Sequence, residues 1–226
     1  ACVKPIALIA LPFVGLLWAG LNSNWWARIK AWLITALVAG ITIVSVYLVA
    51  DTGYGVISAA FSTPSGVLTW LSPSTAIGQI IGYATTWLGI SSNGMNAVAI
   101  VRAIASLAAL VIVAWLILRP GTRNPVRGAA LALATVVVLG PVIQPWYLLW
   151  FLPLFAASGL TRRETTVAVL ATAAFTVHGM VESSATSDNF LDVTDGITFL
   201  VAVAITAVIL LASPRERQLV LGGDPA

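Results

Sequence analysis

Two cations stand apart from every other basic residue in this chain. Lys4 opens the first apolar run, and Arg102 lies seven residues inside another that begins at Met95, roughly 10 Å along a helix. A guanidinium at that depth must snorkel, pair with an acid such as Asp51 or Glu182, or meet an anionic ligand. Together with the ammonium of Lys4 it has the charge and the donors that a phosphate needs. His178 and Glu182 are four apart and so share one helix face. Such a pair can work as acid and base, line a cavity, or hold a helix end; two ligands are too few for a metal site, and no metal is expected. Gln144-Pro145-Trp146-Tyr147 breaks a helix, because Pro145 cannot continue the hydrogen-bond ladder. A tight hairpin with interface aromatics accounts for it, while Gln144, Trp146 and Tyr147 also offer the stacking and hydrogen-bonding surfaces that suit a sugar. The acidic stretch 183–195 is either solvated or a site for a cation or a hydroxyl-rich ligand. The sequence contains no phosphate-cradling glycine loop, nucleophile elbow, HExxH motif or Cys/His cluster, so the catalytic group is unassigned and no cofactor is expected. Cys2 is the only cysteine, which excludes an internal disulfide.

The elements that must position these residues are apolar. Charged residues make up 8% of the 226 and apolar residues 59%, too little charge to build the surface of a soluble domain. Mean hydropathy is +1.00. Lipid is the solvent that fits, and the nine tryptophans agree with it. The net charge of +3 is dispersed between apolar runs and is no nucleic-acid signal. Seven runs qualify as spans: 6–21, 31–50, 95–118, 128–144, 146–159, 165–181 and 196–212. With seven spans, nine of the eleven basic residues fall on one side: Arg28, Lys30, Arg119, Arg123, Arg127, Arg162, Arg163, Arg215 and Arg217. Asp51, Glu182, Asp188, Asp192 and Asp195 fall on the other. This is the positive-inside pattern. It predicts an all-α, polytopic transmembrane bundle, one domain over 1–226, multi-pass in the plasma membrane. The amino end is extracytoplasmic and the tail 213–226 cytoplasmic. The stretch 51–94 becomes an extracytoplasmic loop with short helices. Within it, 72–89 carries Ser72 as N-cap, Pro73 at N1 and a closing Gly89, which predicts an interfacial or re-entrant helix. Its Gly, Ser and Thr content suits packing against protein.

Location separates the function classes. A transporter or flippase of a lipid-linked or small polar substrate needs polar groups near the bilayer centre, and commonly internal repeats. Here the mid-span positions are mostly Ala, Val, Leu and Ile, no repeat is visible, and the stray polar groups collect at the outer ends of helices. That favours chemistry at the interface. A non-catalytic membrane scaffold would need neither Arg102 nor His178.

Three stretches carry a family resemblance: VKPIALIALPFVGLLWAG, DTGYGVISAAFSTPSGVLTWLSPSTAIGQIIG and LGPVIQPWYLLWFLPLFA. Together they resemble the later membrane segments of the actinobacterial polyprenol-phosphate-mannose-dependent α-1,6-mannosyltransferases, of the GT-C class. They cover about a third of the chain; the Thr-Pro-Ser-Gly loop with the following Trp-Leu-Ser-Pro-Ser-Thr is the more specific part. The resemblance implies a mannose donor on a polyprenyl phosphate, with its tail in the membrane lipid, and a glycolipid or mannan acceptor of the lipomannan type. Attack comes from the outer face with inversion. On that reading Lys4 and Arg102 neutralise the donor phosphate, and Gln144, Trp146, Tyr147, His178 and Glu182 line the substrate. An α-1,2-mannosyltransferase of the same class is the alternative. GT-C enzymes usually hold their catalytic carboxylate in the first extracytoplasmic loop. No residue here matches it, and the chain does not begin with Met. It therefore reads as the carboxyl-terminal part of a longer enzyme, without that carboxylate and inactive alone.

Overall fold

The computed structural model describes residues 5–50, 68–69, 71–119, 124–182 and 204, with the side chains at 5, 50 and 177–182 outside the description. Lys4, Asp51 and the acidic stretch 183–195 lie outside the described residues, as does the run 196–212 apart from residue 204, which is helical. All the described regular elements are helices. A 3-10 turn, Pro5–Ala10, runs into α1, Leu11–Ala19. Then come α2, Trp25–Ala50; α3, Pro73–Trp87; α4, Met95–Leu118; and α5, Pro125–Leu139. A 3-10 turn, Pro145–Tyr147, precedes α6, Leu148–Ala157, and α7 is Arg162–Glu182. Among the described residues, two helices are long and apolar enough to cross a membrane, Trp25–Val49 and Met95–Leu118. Ile6–Ala19, Pro125–Leu139 and Pro145–Ala157 are shorter apolar helices.

Several boundaries move from the sequence expectation. The 31–50 run is helical from Trp25, so Arg28 and Lys30 sit inside the first turns of α2 rather than in a loop. Both are good helix formers with stems long enough to carry the charge outward. Arg28 donates from Nη2 to the Leu21 carbonyl at 2.7 Å, while Asn24 accepts the Ala27 N–H at 2.8 Å. Arg127 likewise falls in the first turn of α5, where Asn124 accepts the Val126 N–H at 2.9 Å and Pro125 fills a position that needs no donor. The 128–144 run stops being helical at Leu139. Pro141 has no N–H and pushes Gly140 into extended backbone, φ −65° and ψ 160°.

Helix α3 forms as its punctuation predicts. The Ser72 side chain accepts the Thr75 N–H, and Pro73 starts the helix. At the other end Gly89 takes φ +68°, the Gly89 N–H reaches the Thr86 carbonyl at 3.1 Å, and the Ile90 N–H reaches that of Thr85 at 2.9 Å. These two bonds make a Schellman stop. The chain then turns back, and α3 packs antiparallel on α4. Gly78 meets Val98 and Gly82 meets Gly94, so close that an added Cβ would lie 2.7 Å from Val98 Cα or 2.5 Å from the Gly94 carbonyl oxygen. The Gly78-x-x-x-Gly82 spacing is what lets the two backbones touch.

The rest of the first compact unit (1–143 and 149–158) is built on α1, α2, α4 and α5. Phe13, Leu16, Leu116, Ala129 and Ala132 form its core, with Trp32, Val113 and Leu154 packed around them. The small residues of α5 let Phe13 and Leu16 sink to 1% and 0% exposure. Trp32 buries its indole body and donates Nε1–H to the Pro12 carbonyl at 2.9 Å. In the second unit (144–148 and 159–226), α7 opens with a capping box. Glu164 Oε2 accepts the Thr161 N–H at 2.9 Å, and Thr161 Oγ1 accepts the Glu164 N–H at 3.3 Å.

The glycine seam sets a first expectation. Gly78→Val in the full-length protein should lower the thermal unfolding midpoint in detergent, with an overpacking cost of about 1–3 kcal/mol. Gly40→Ala in α2, where nothing lies within 4 Å of the added methyl, should leave it unchanged or slightly raised.

Candidate functional site

The residues that converge in the first unit come from three helices. Arg102 stands on α4, two turns below Met95. Thr75 is in the first turn of α3, opposite it in the antiparallel register. Gly140 and Pro141 follow the last turn of α5. Arg102 donates Nε–H to Thr75 Oγ1 at 2.9 Å and an Nη2 proton to the Pro141 carbonyl at 3.3 Å. Thr75 Oγ1 in turn donates to that same Pro141 carbonyl at 2.6 Å. The Gly140 carbonyl accepts from Ser72 Oγ at 2.6 Å and from Ser74 Oγ at 3.0 Å. Ser72, Ser74 and Thr75 are all buried.

Electrostatics explains the arrangement. A helix amino end carries partial positive charge and a carboxyl end partial negative charge. Here the amino end of α3 meets the carbonyls that end α5, and Arg102 adds a full positive charge beside them. Three hydroxyls and one guanidinium answer two carbonyls that Pro141 has taken out of the helical ladder. In an apolar surrounding every such carbonyl must find a donor inside the protein.

Arg102 is thus the sequence-singled residue that the structure describes most fully, and its partners include the Thr75 hydroxyl and the Pro141 carbonyl. Asp51 and the side chain of Glu182, the acids proposed to pair with it, lie outside the described residues. Gln144, Trp146 and Tyr147 belong to the second unit. Gln144 is extended, the Tyr147 N–H closes the turn on the Gln144 carbonyl at 2.9 Å, and the Trp146 and Tyr147 rings meet edge-on at 6.3 Å. Trp146 is 52% exposed. His178 and Glu182 fall one turn apart on α7, as their spacing requires, with side chains outside the description. Among the described residues no three His, Cys, Asp or Glu gather as metal ligands.

Sequence reasoning missed Ser72, Ser74, Thr75 and Gln79 as members of this cluster. Gln79 lies one turn along α3 from Thr75, on its buried face, at 5% exposure. Neither its Oε1 nor its Nε2 has a hydrogen-bond partner among the described residues. The signal was there: Ser, Ser, Thr and Gln at 72, 74, 75 and 79 put four polar side chains on the first two turns of the helix.

Fold and site together define an all-helical, membrane-associated protein whose broken helix ends close on side-chain hydroxyls and an arginine. The chain belongs to the MptB C-terminal domain family, whose profile matches residues 74–186, half of its length. It is 31% identical over 223 residues to an α-(1→6)-mannopyranosyltransferase of Mycobacterium tuberculosis, covering 95% of this chain and 36% of that protein. It is 31% identical over 226 residues to a probable α-(1→6)-mannopyranosyltransferase of Mycolicibacterium smegmatis, covering 95% and 38%. A third relative, α-(1→6)-mannopyranosyltransferase B of Corynebacterium glutamicum, is 31% identical over 157 residues, covering 66% of this chain and 26% of that protein. The chain therefore spans a little over a third of the length of the first two relatives. No solved structure matches it.

The junction gives a second expectation. Thr75→Val keeps the shape but removes both the acceptor for Arg102 and a donor to Pro141. It should cost about 1–3 kcal/mol, read as a lower unfolding midpoint of the purified full-length protein. Ser74→Ala should cost less, because Ser72 still donates to the Gly140 carbonyl.

Proposed function

We propose that this chain is the carboxyl-proximal membrane part of a glycosyltransferase that moves mannose from a polyprenyl-phosphate donor to a mannan or lipomannan acceptor, making an α-1,6 linkage on the extracytoplasmic face. The observation that carries the proposal is the alignment of 95% of the chain with proteins named α-(1→6)-mannopyranosyltransferases. Their names favour the α-1,6 over the α-1,2 alternative.

The proposal has a topology. Seven spans cross the plasma membrane, the amino end lies outside, and α3 is a re-entrant helix of the 51–94 loop. Support comes from the antiparallel packing of α3 on α4. If Met95 marks the outer surface, Ser72 and Thr75 lie roughly 10 Å below it, level with Arg102. A helix that dips and returns, with its buried amino end bonded to another helix, fits protein-lined depth rather than open lipid.

The proposal also has a mechanism. The donor phosphate is the leaving group, and its charge cannot enter hydrocarbon. Lys4 and Arg102 neutralise it at the outer end of the bundle, so that charge building on the leaving oxygen is met by cations already in position. Thr75 and the Pro141 carbonyl hold the guanidinium in a fixed plane, which removes reorganisation from the reaction. Gln144, Trp146, Tyr147, His178 and Glu182 contact the sugars, Trp146 by stacking.

The test is Arg102→Ala in the full-length enzyme, assayed with polyprenyl-phosphate-mannose and a mannan acceptor. A fall of about 10²-fold or more in kcat/KM is expected, since it removes one preorganised charge contact to the leaving group. Unchanged donor KM and kcat would remove Arg102 from the reaction.

A further inference from the structure

Gln79 has no task in the scheme above, and its state in the fold is unusual. Its side chain is 5% exposed, and both ends of the carboxamide lack a hydrogen-bond partner among the described residues. A buried carboxamide left this way destabilises the free protein, and an apolar side chain of the same shape would serve the packing better. The position is not remote. Thr75, one turn away on the same face, is bonded to Arg102, and Gly78 and Gly82 flank Gln79 on the seam against α4. A destabilising polar group beside a charged helix junction is the pattern of a residue kept for a ligand.

We propose that Gln79 is a substrate-contacting residue, its carboxamide binding a pair of neighbouring hydroxyls on a mannosyl ring. The inference rests on the mannosyl-transfer reading and deepens it. The chemistry follows from what is unmatched: one acceptor, Oε1, and one donor, Nε2, held in a plane. A phosphate offers acceptors only and would leave Oε1 unmatched. Two adjacent sugar hydroxyls match both, one donating to Oε1 and its neighbour accepting from Nε2. At 5% exposure, contact requires the packing over Gln79 to open locally. A structural water is the competing occupant of a buried polar position. It differs in consequence, because it would stabilise the fold and leave substrate affinity alone.

The experiment uses the full-length enzyme carrying Gln79→Met, which keeps the length and removes the polarity. KM is measured separately for polyprenyl-phosphate-mannose and for the mannan acceptor, together with the unfolding midpoint. The expected result is a rise of about tenfold or more in one of the two KM values with the midpoint unchanged or higher. The substrate affected says whether the ring belongs to donor or acceptor. Gln79→Asn, which keeps the carboxamide but withdraws it by one methylene, should raise the same KM and serves if the Met variant does not accumulate. KM does not depend on how much enzyme is folded, so a purely structural role would lower the midpoint or the yield and leave both KM values within twofold of wild type. That outcome overturns the proposal. A wild-type enzyme that transfers no mannose would instead overturn the reading on which it rests.

Discussion

The rest of the described site depends on one constraint: the carbonyls released where α5 ends must be satisfied without water. Pro141 stops the helix after Leu139 and turns Gly140 outward, leaving two carbonyls with no ladder to join. In a soluble protein, solvent would take them. In this apolar bundle the donors come from Ser72, Ser74 and Thr75 at the start of α3 and from Arg102 on α4. Everything else in the cluster follows from delivering those donors. The amino end of α3 has to reach the carboxyl end of α5, so α3 has to lie against α4, and glycines at 78 and 82 bring it close enough. One carbonyl, that of Pro141, thus connects three elements.

This economy explains why structure and chemistry share residues. Arg102 braces the junction and, in the proposed reaction, is the cation that meets the anionic leaving group. Thr75 Oγ1 and the Pro141 carbonyl both orient its guanidinium. Gln79 marks the opposite limit. It sits in the same face of α3 and has nothing to bond to among the described residues. Stability alone would have replaced it.

Much of the architecture was legible in the sequence, and the parts that were not share a cause. Helix α3 was readable because its signals are local: Ser72 and Pro73 start it and Gly89 ends it, each acting within a turn of its own position. Helix ends defined by hydropathy were less readable. Arg28, Arg127, Arg162 and Arg163 stand inside the first turns of helices, since charge ends an apolar run without ending a helix. The end of α5 was placed at Gln144 instead of Leu139 because Val142 and Ile143 continue the apolar run past the break at Pro141. The two described partners of Arg102 were beyond reach. They lie 27 and 39 residues away in the chain, and the serines bond a carbonyl 66 and 68 residues off. Charge pairing is visible in sequence, whereas a backbone carbonyl freed by a distant proline is not; Asp51 and the side chain of Glu182 lie outside the described residues. Family likeness supplied the proposed mannosyl substrate, which no side chain in this stretch identifies unaided.

The central claim is that Thr75 and Arg102 act as one unit that joins α3 to α5. A double-mutant cycle on the full-length protein, with Thr75→Val, Arg102→Met and the pair compared by unfolding free energy, measures it most directly. The account gives a coupling of about 1 kcal/mol or more, with Thr75→Val costing clearly less once Arg102 is gone. Additive losses, within error, would contradict it.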